Sequence, residues 1–97
     1  MKIAGFDWDG GNWPKCGKHG VSREEIEQLF LNGHAVVAPD LKHATPTESR
    51  HIAAGLVNDR AMFVAFTLRG NLIRPISARY MHPKEAINYE ESTRIQN

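Results

Sequence analysis

Two groups of residues carry side chains suited to acid–base and phosphate chemistry. The early group is Lys15, Lys18 and His19; the late group is Arg69, Arg74, Arg79, Glu85 and Tyr89. Cutting RNA without a metal needs few parts. A base helps the 2′-hydroxyl attack its own phosphate, an acid protonates the leaving 5′ oxygen, and cations stabilise the phosphorane between them. His or Glu serves as the base, His or Lys as the acid, and Arg as the clamp. Many chains hold these residue types, so the set alone is not specific.

Other chemistries find less support. None of the five histidines (His19, His34, His43, His51, His82) has a partner at helical i, i+4 spacing on a predicted helix. Asp7 and Asp9 stand two apart on a predicted strand and can share a face, as a magnesium pair does. Equally, they can cap the following turn and pair with nearby lysines. Ser77 lacks the glycine-flanked turn of a nucleophile elbow. Cys16 has Lys15, Lys18 and His19 close by, which favours a thiolate, yet a lone cysteine in a basic segment is more often incidental. No metal or other cofactor is expected.

The chain that must position these groups has 97 residues, enough for one small domain and too few for two cores. The shares of hydrophobic and charged residues, 41% and 24%, are ordinary and argue against wholesale disorder. The longest apolar runs fall far short of a membrane span. The first seven residues reach an acid at once, unlike a secretory signal. A single cysteine makes no internal disulfide. A cytoplasmic domain is the expectation. Residues 1–40 carry four Lys/Arg and six Asp/Glu; residues 41–97 carry eight and five. Between 60 and 84 stand Arg60, Arg69, Arg74, Arg79 and Lys84 with no acid. Such a stretch suggests a phosphate-bearing partner. A solvated strand face with counter-charges elsewhere is the plainer explanation.

Residues 3–8 read as a short strand, broken by Gly10-Gly11-Asn12. Pro14 suits the start of a short helix ending near Lys18. Ser22 and Glu25 form a capping box, and Ile26, Leu29 and Phe30 make one apolar helical face that Gly33 ends. Residues 35–39 form a strand candidate and 40–49 a polar loop. Three strands follow at 51–57, 61–68 and 72–80. Short turns at 58–60 and 69–71 join them into an antiparallel meander. Met62, Val64, Phe66 and Leu68 alternate on one face of the middle strand. Phe63 and Ala65 make its other face apolar, which predicts a strand covered on both sides. Pro83 starts a last helix, and the polar segment 90–97 is expected to fray. The whole reads as one α+β domain over 1–97, an antiparallel sheet with helices on one face.

Arg74 and Arg79 are five apart, so on a regular strand they point to opposite faces. Pro75 offers an exception, because it has no N–H for the ladder and favours edges or bulges. A bulge there adds one residue, restores parity and is expected to let Arg74 and Arg79 converge on one phosphate; without it Arg79 shares a face with Ser77 and Arg74 lies with Ile76.

The sequence resembles the BrnT toxin family, whose domain was once called DUF497. Phe6-Asp7-Trp8-Asp9, Asn12, Lys15, Lys18-His19-Gly20-Val21-Ser22 and Glu24-Glu25-Ile26-Glu27 with Phe30 fit its opening. Arg50 and Gly55 fit the middle. Arg69-Gly70, Ile73-Arg74-Pro75-Ile76-Ser77-Ala78-Arg79, Glu85 and Tyr89 fit the end. The resemblance implies a RelE-like ribonuclease toxin of a type II toxin–antitoxin system, cleaving RNA and inhibiting translation. It implies a BrnA-type antitoxin that binds the toxin and represses their shared promoter, so DNA is met only through that complex. It also leaves room for a toxin homodimer within the complex. The carried-over catalytic positions are Arg74, Arg79 and Glu85, with Lys18, His19 and Tyr89 beside them. Arg69, Lys15 and Lys84 are candidate RNA contacts. For His19 a helix-end role, and for Tyr89 a core role, compete with catalysis. Trp8 and Trp13 are expected in the core or against the antitoxin. The competing function is a non-catalytic nucleic-acid- or protein-binding module on the same basic strand.

Overall fold

In the computed structural model, which describes residues 3–32 and 34–96, strand β1 is only Gly5–Phe6. It is much shorter than the six residues read from sequence. Asp7 and the Asp9-Gly10-Gly11 turn then take the chain away from the sheet. The expected short helix is a single 3-10 turn, Lys15–Gly17, with Pro14 just before it and Lys18 just after. Gly17 is needed there: a Cβ on it would meet the Trp13 ring at 2.8 Å. Helix α1, Arg23–Leu31, starts on the predicted capping box, with Ser22 accepting from the Glu25 N–H and Glu25 from the Ser22 N–H. The residue expected to end it, Gly33, lies outside the described residues.

Strand β2 is Val36–Pro39, β3 is His51–Val57, β4 is Arg60–Arg69 and β5 is Leu72–Tyr80. Asn58 and Asp59, both at positive φ, make the two-residue turn of the β3–β4 hairpin. Helix α2 runs Pro83–Gln96. The sheet order is β1-β5-β4-β3-β2. The meander is antiparallel as expected, but β1 pairs with β5 in parallel. The sheet is therefore mixed, which corrects the all-antiparallel reading. Residues 7–71 form a long crossover that returns the chain beside its own start.

One face of the sheet is the core. Ala53, Val57, Met62, Val64, Phe66 and Ile73 line it, and Ile26 and Leu29 of α1 pack down on them; each of these is almost fully buried. Phe30 adds edge-to-face contacts with Phe6 and Phe66, at 5.9 and 5.1 Å. Gly55 lets α1 approach, since a Cβ there would stand 2.6 Å from Leu29 Cδ1. Trp8 and Trp13 are half-buried against this core, edge to face at 5.6 Å, with the Trp8 indole N–H donating to Glu27.

The helices do not share a face. α1 covers the core face, whereas α2 touches the sheet through β4 and through a Glu85–Arg79 pair on the opposite, outer face. The outer face is not sealed: Phe63 and Ala65 are half-buried, and Ile52 and Leu56 are exposed. The middle strand is thus covered on one side and only partly on the other, where Ala61 and Thr67 are buried and Phe63 and Ala65 are not.

Candidate active site

The predicted irregularity in β5 exists. Ala65 pairs with Ser77 and Phe66 with Pro75, leaving Ile76 as the extra residue. Beyond β1 the edge of β5 meets Asn12, a buried side chain that donates to the Pro75 and Asp7 carbonyls and accepts from the Asp9 N–H. That amide stands in for a strand where Pro75 cannot donate. The bulge returns Arg74, Ser77 and Arg79 to one face, the outer one.

Sharing a face does not bring the two arginines together. Arg74 pairs across to Thr67 and Arg79 to Phe63, four positions along β4, or roughly 13 Å. Each has its own acids. Arg74 bonds Asp9 at 3.0 and 3.1 Å and lies 3.4 Å from Asp7. Arg79 grips Glu85 with both terminal nitrogens, at 2.8 and 2.9 Å, and its guanidinium carbon sits 5.2 Å from the Phe63 ring centre.

Around Arg79 the outer face forms a cleft of about 450 Å³, with Lys18 and His19 on one side and Ser77, Phe63 and Ile52 among its other walls. His19 and Arg79 also line an adjoining hollow with Arg60, Tyr80 and His82. Lys18 and His19 reach this place because the 3-10 turn packs along β5 and the capping box then fixes the chain at Ser22. Arg79 with Glu85, Lys18 and His19 are the sequence-predicted residues that come together. Lys15 and Arg74 line a second, more polar hollow with His43, Glu48 and Arg50, where the Arg50 Nε has no hydrogen-bond partner among the described residues. Arg69 is spent on Glu48 at 3.5 Å. Lys84 is exposed and Tyr89 half-buried on α2, and neither lines these hollows.

The electrostatics separate the roles. The Arg79 guanidinium, helped by the His82 N–H, pulls the Glu85 pKa down to about 2. A carboxylate held so firmly ionised is a weak base and a good anchor. Asp9 is likewise lowered, first by Arg74 and then by the Gly11 N–H. Asp9 therefore caps the turn, and both aspartates pair with an arginine rather than with lysines. Burial pushes the Cys16 thiol up, and Cys16 lies in the core, so the thiolate reading fails. Among the described residues, no three His, Cys, Asp or Glu side chains gather as metal ligands. None of the helices is long and apolar enough to cross a membrane, among the described residues.

Sequence reasoning missed Tyr80, whose phenol donates to Glu25 while Arg60 lies 3.9 Å from its ring centre. Burial and then Glu25 raise its pKa to about 12. It also missed Phe63 and Ile52 as cleft walls. The signal was present: a two-residue turn at 58–59 fixes the register that sets Ala54 opposite Phe63 and Ile52 opposite Ala65.

No curated protein matches the chain. A family model described as the ribonuclease toxin, BrnT, of a type II toxin-antitoxin system matches residues 8–85. That span holds the 3-10 turn, α1, all of β2 to β5 and Glu85, so the chain belongs to the BrnT family of ribonuclease toxins of type II toxin–antitoxin systems.

Proposed function

We propose that this chain is a metal-independent endoribonuclease whose active site is the Arg79 cleft. The observation that carries this reading is the Arg79–Glu85 pair beside Lys18 and His19. A base in the cleft takes the 2′-hydroxyl proton, the 2′ oxygen bonds to phosphorus, and the P–O5′ bond breaks as an acid protonates the leaving oxygen. The products are a 2′,3′-cyclic phosphate and a 5′-hydroxyl. Arg79 neutralises the phosphorane, and Glu85 fixes the guanidinium plane so that little reorganisation is needed. His19 and Lys18 divide the proton transfers. Arg74, with Lys15, contacts the RNA backbone further along.

The remaining parts of the reading rest on the family resemblance. The toxin acts in the cytoplasm, has a RelE-like fold and inhibits translation by cutting RNA. A BrnA-type antitoxin neutralises it by covering the basic side, and the pair meets promoter DNA through the antitoxin. Purified protein incubated with a long RNA in EDTA tests the core claim. Cyclic-phosphate ends support it. Intact RNA with salt-sensitive binding supports a non-catalytic binding module instead.

A further inference from the structure

The outer sheet face beside Arg79 is built in registered rows. Ile52, Ala65 and Ser77 stand side by side on β3, β4 and β5, and Ala54, Phe63 and Arg79 form the next row. Strands lie about 4.8 Å apart and alternate residues about 6.7 Å, so the two rows make a shallow tray roughly 7 by 10 Å. Its floor is apolar, with the small Ala65 at the middle of one row and the Phe63 ring at the middle of the other. Phe63 and Ile52 rise on either side, and Ile52 remains 37% exposed. The rim is polar: Lys18 and His19 on one side, Arg79 at the end of the Phe63 row, and the exposed Ser77 hydroxyl beyond. Nothing in the proton-transfer chemistry needs an apolar floor. An apolar tray next to a phosphate-binding arginine has the shape of a nucleotide: a flat base beside a charged phosphate.

We infer that this tray is a nucleobase subsite: the base beside the scissile phosphate lies on Phe63, Ala65 and Ile52 while its phosphate meets Arg79. The inference rests on the Arg79 cleft being the RNA site. Phe63 then does two things. Its ring braces the Arg79 guanidinium, and the part of the half-buried ring that stays exposed, with Ala65 beside it, receives the base. Ser77 is placed to bond the base edge. Stacking is tolerant of base identity, so the subsite supplies affinity and register, with Ser77 adding preference among bases.

Binding of uncleavable RNA tests this without relying on turnover. The probes are 2′-O-methyl tetranucleotides, in which the attacking hydroxyl is blocked, and the same backbones with one abasic position. Fluorescence anisotropy with the full chain should show base-bearing probes binding at least about fivefold tighter than the abasic probe at one position. Phe63→Leu keeps apolar bulk and should bring that preference, read as the ratio of base-bearing to abasic affinity in the same variant, close to parity, since any weakening from the lost brace on Arg79 falls on both probes alike. Ile52→Ala, at an exposed site, should reduce the preference partly. Equal binding of base-bearing and abasic probes by the parent, or no binding of either, overturns the subsite. So does a Phe63→Leu variant that keeps the full preference. A floor reserved for a protein partner gives the equal-binding result. If the base preference stands but natural RNA is not cut, the ribonuclease mechanism fails and the subsite survives. If RNA is cut without a base preference, only the subsite fails.

Discussion

Tyr80 donates its phenolic hydrogen bond to Glu25, the same carboxylate that accepts the Ser22 N–H at the start of α1. One acid thus joins the last residue of β5 to the segment that follows His19. Arg79 precedes Tyr80, and His19 lies three residues before Ser22. The bond therefore ties together the two stretches of chain that line the cleft. In the proposed mechanism it is a positioning contact: Tyr80 lines the adjoining hollow and not the cleft itself.

Tyr80→Phe should cost about 1 kcal/mol in urea denaturation, the worth of one partly exposed charge-assisted bond. Its pH dependence has a definite sign. Tyr80 is raised to about 12, so its contribution is complete below pH 10 and is lost as pH rises toward 12. Glu25 is lowered, first by Tyr80, so its contribution is complete above its unfolded value and fades as pH falls. The variant should lose the alkaline dependence between pH 10 and 12. An unchanged alkaline limb would show that Tyr80 is not its source.

Glu85→Gln separates an anchor from a base. Glu85 titrates near 2, so between pH 4 and 9 it is ionised throughout. Its stability contribution is present above its unfolded pKa and is lost only as pH falls through about 2. The variant should lower kcat by about 10- to 100-fold through a misaligned Arg79, equally at every pH in that range. Disappearance of an acid limb in the kcat–pH profile would identify Glu85 as the base instead.

Arg74→Ala should act mainly on the fold. It strips Asp9 and Asp7 of their shared partner, leaves the Arg74 hollow less basic and lowers the melting temperature. Among folded molecules kcat/KM should fall less than about tenfold, as for one lost backbone contact. A fall as large as that for Arg79→Ala would mean that both arginines act on one phosphate.

Gly55→Ala should destabilise the protein by about 1–3 kcal/mol, because the added methyl overlaps the Leu29 side chain beneath α1. Equilibrium unfolding measures it. A neutral effect would show that α1 is free to shift off β3.

Local chemistry was the legible part of this fold. Ser22 and Glu25 announce the start of α1 within four residues, Asn58-Asp59 announces a tight hairpin, and Pro75 announces a bulge because it lacks an N–H. Each signal depends on neighbours in sequence. The parallel pairing of Gly5 and Phe6 with Leu72 and Ile73 depends on a return across 65 residues that two strand residues cannot advertise. The same distance hid the Asp9–Arg74 pair, so the acids near the start read as partners for lysines. The alternation through Phe63 and Ala65 reads as burial on both faces; an apolar face left open as a cleft floor has the same pattern. Of the site, Arg79, Glu85, Lys18 and His19 were readable as residue types, whereas the separation of Arg74 from them came from strand register.

The central claim is that Arg79 stabilises the phosphorane, and single-turnover cleavage by Arg79→Ala tests it most directly. The rate should be followed by the appearance of 2′,3′-cyclic phosphate ends, with circular dichroism confirming the fold. Losing a clamp that acts mainly in the transition state should slow cleavage about 100- to 1,000-fold. A folded Arg79→Ala protein that cleaves at the parent rate would contradict the account.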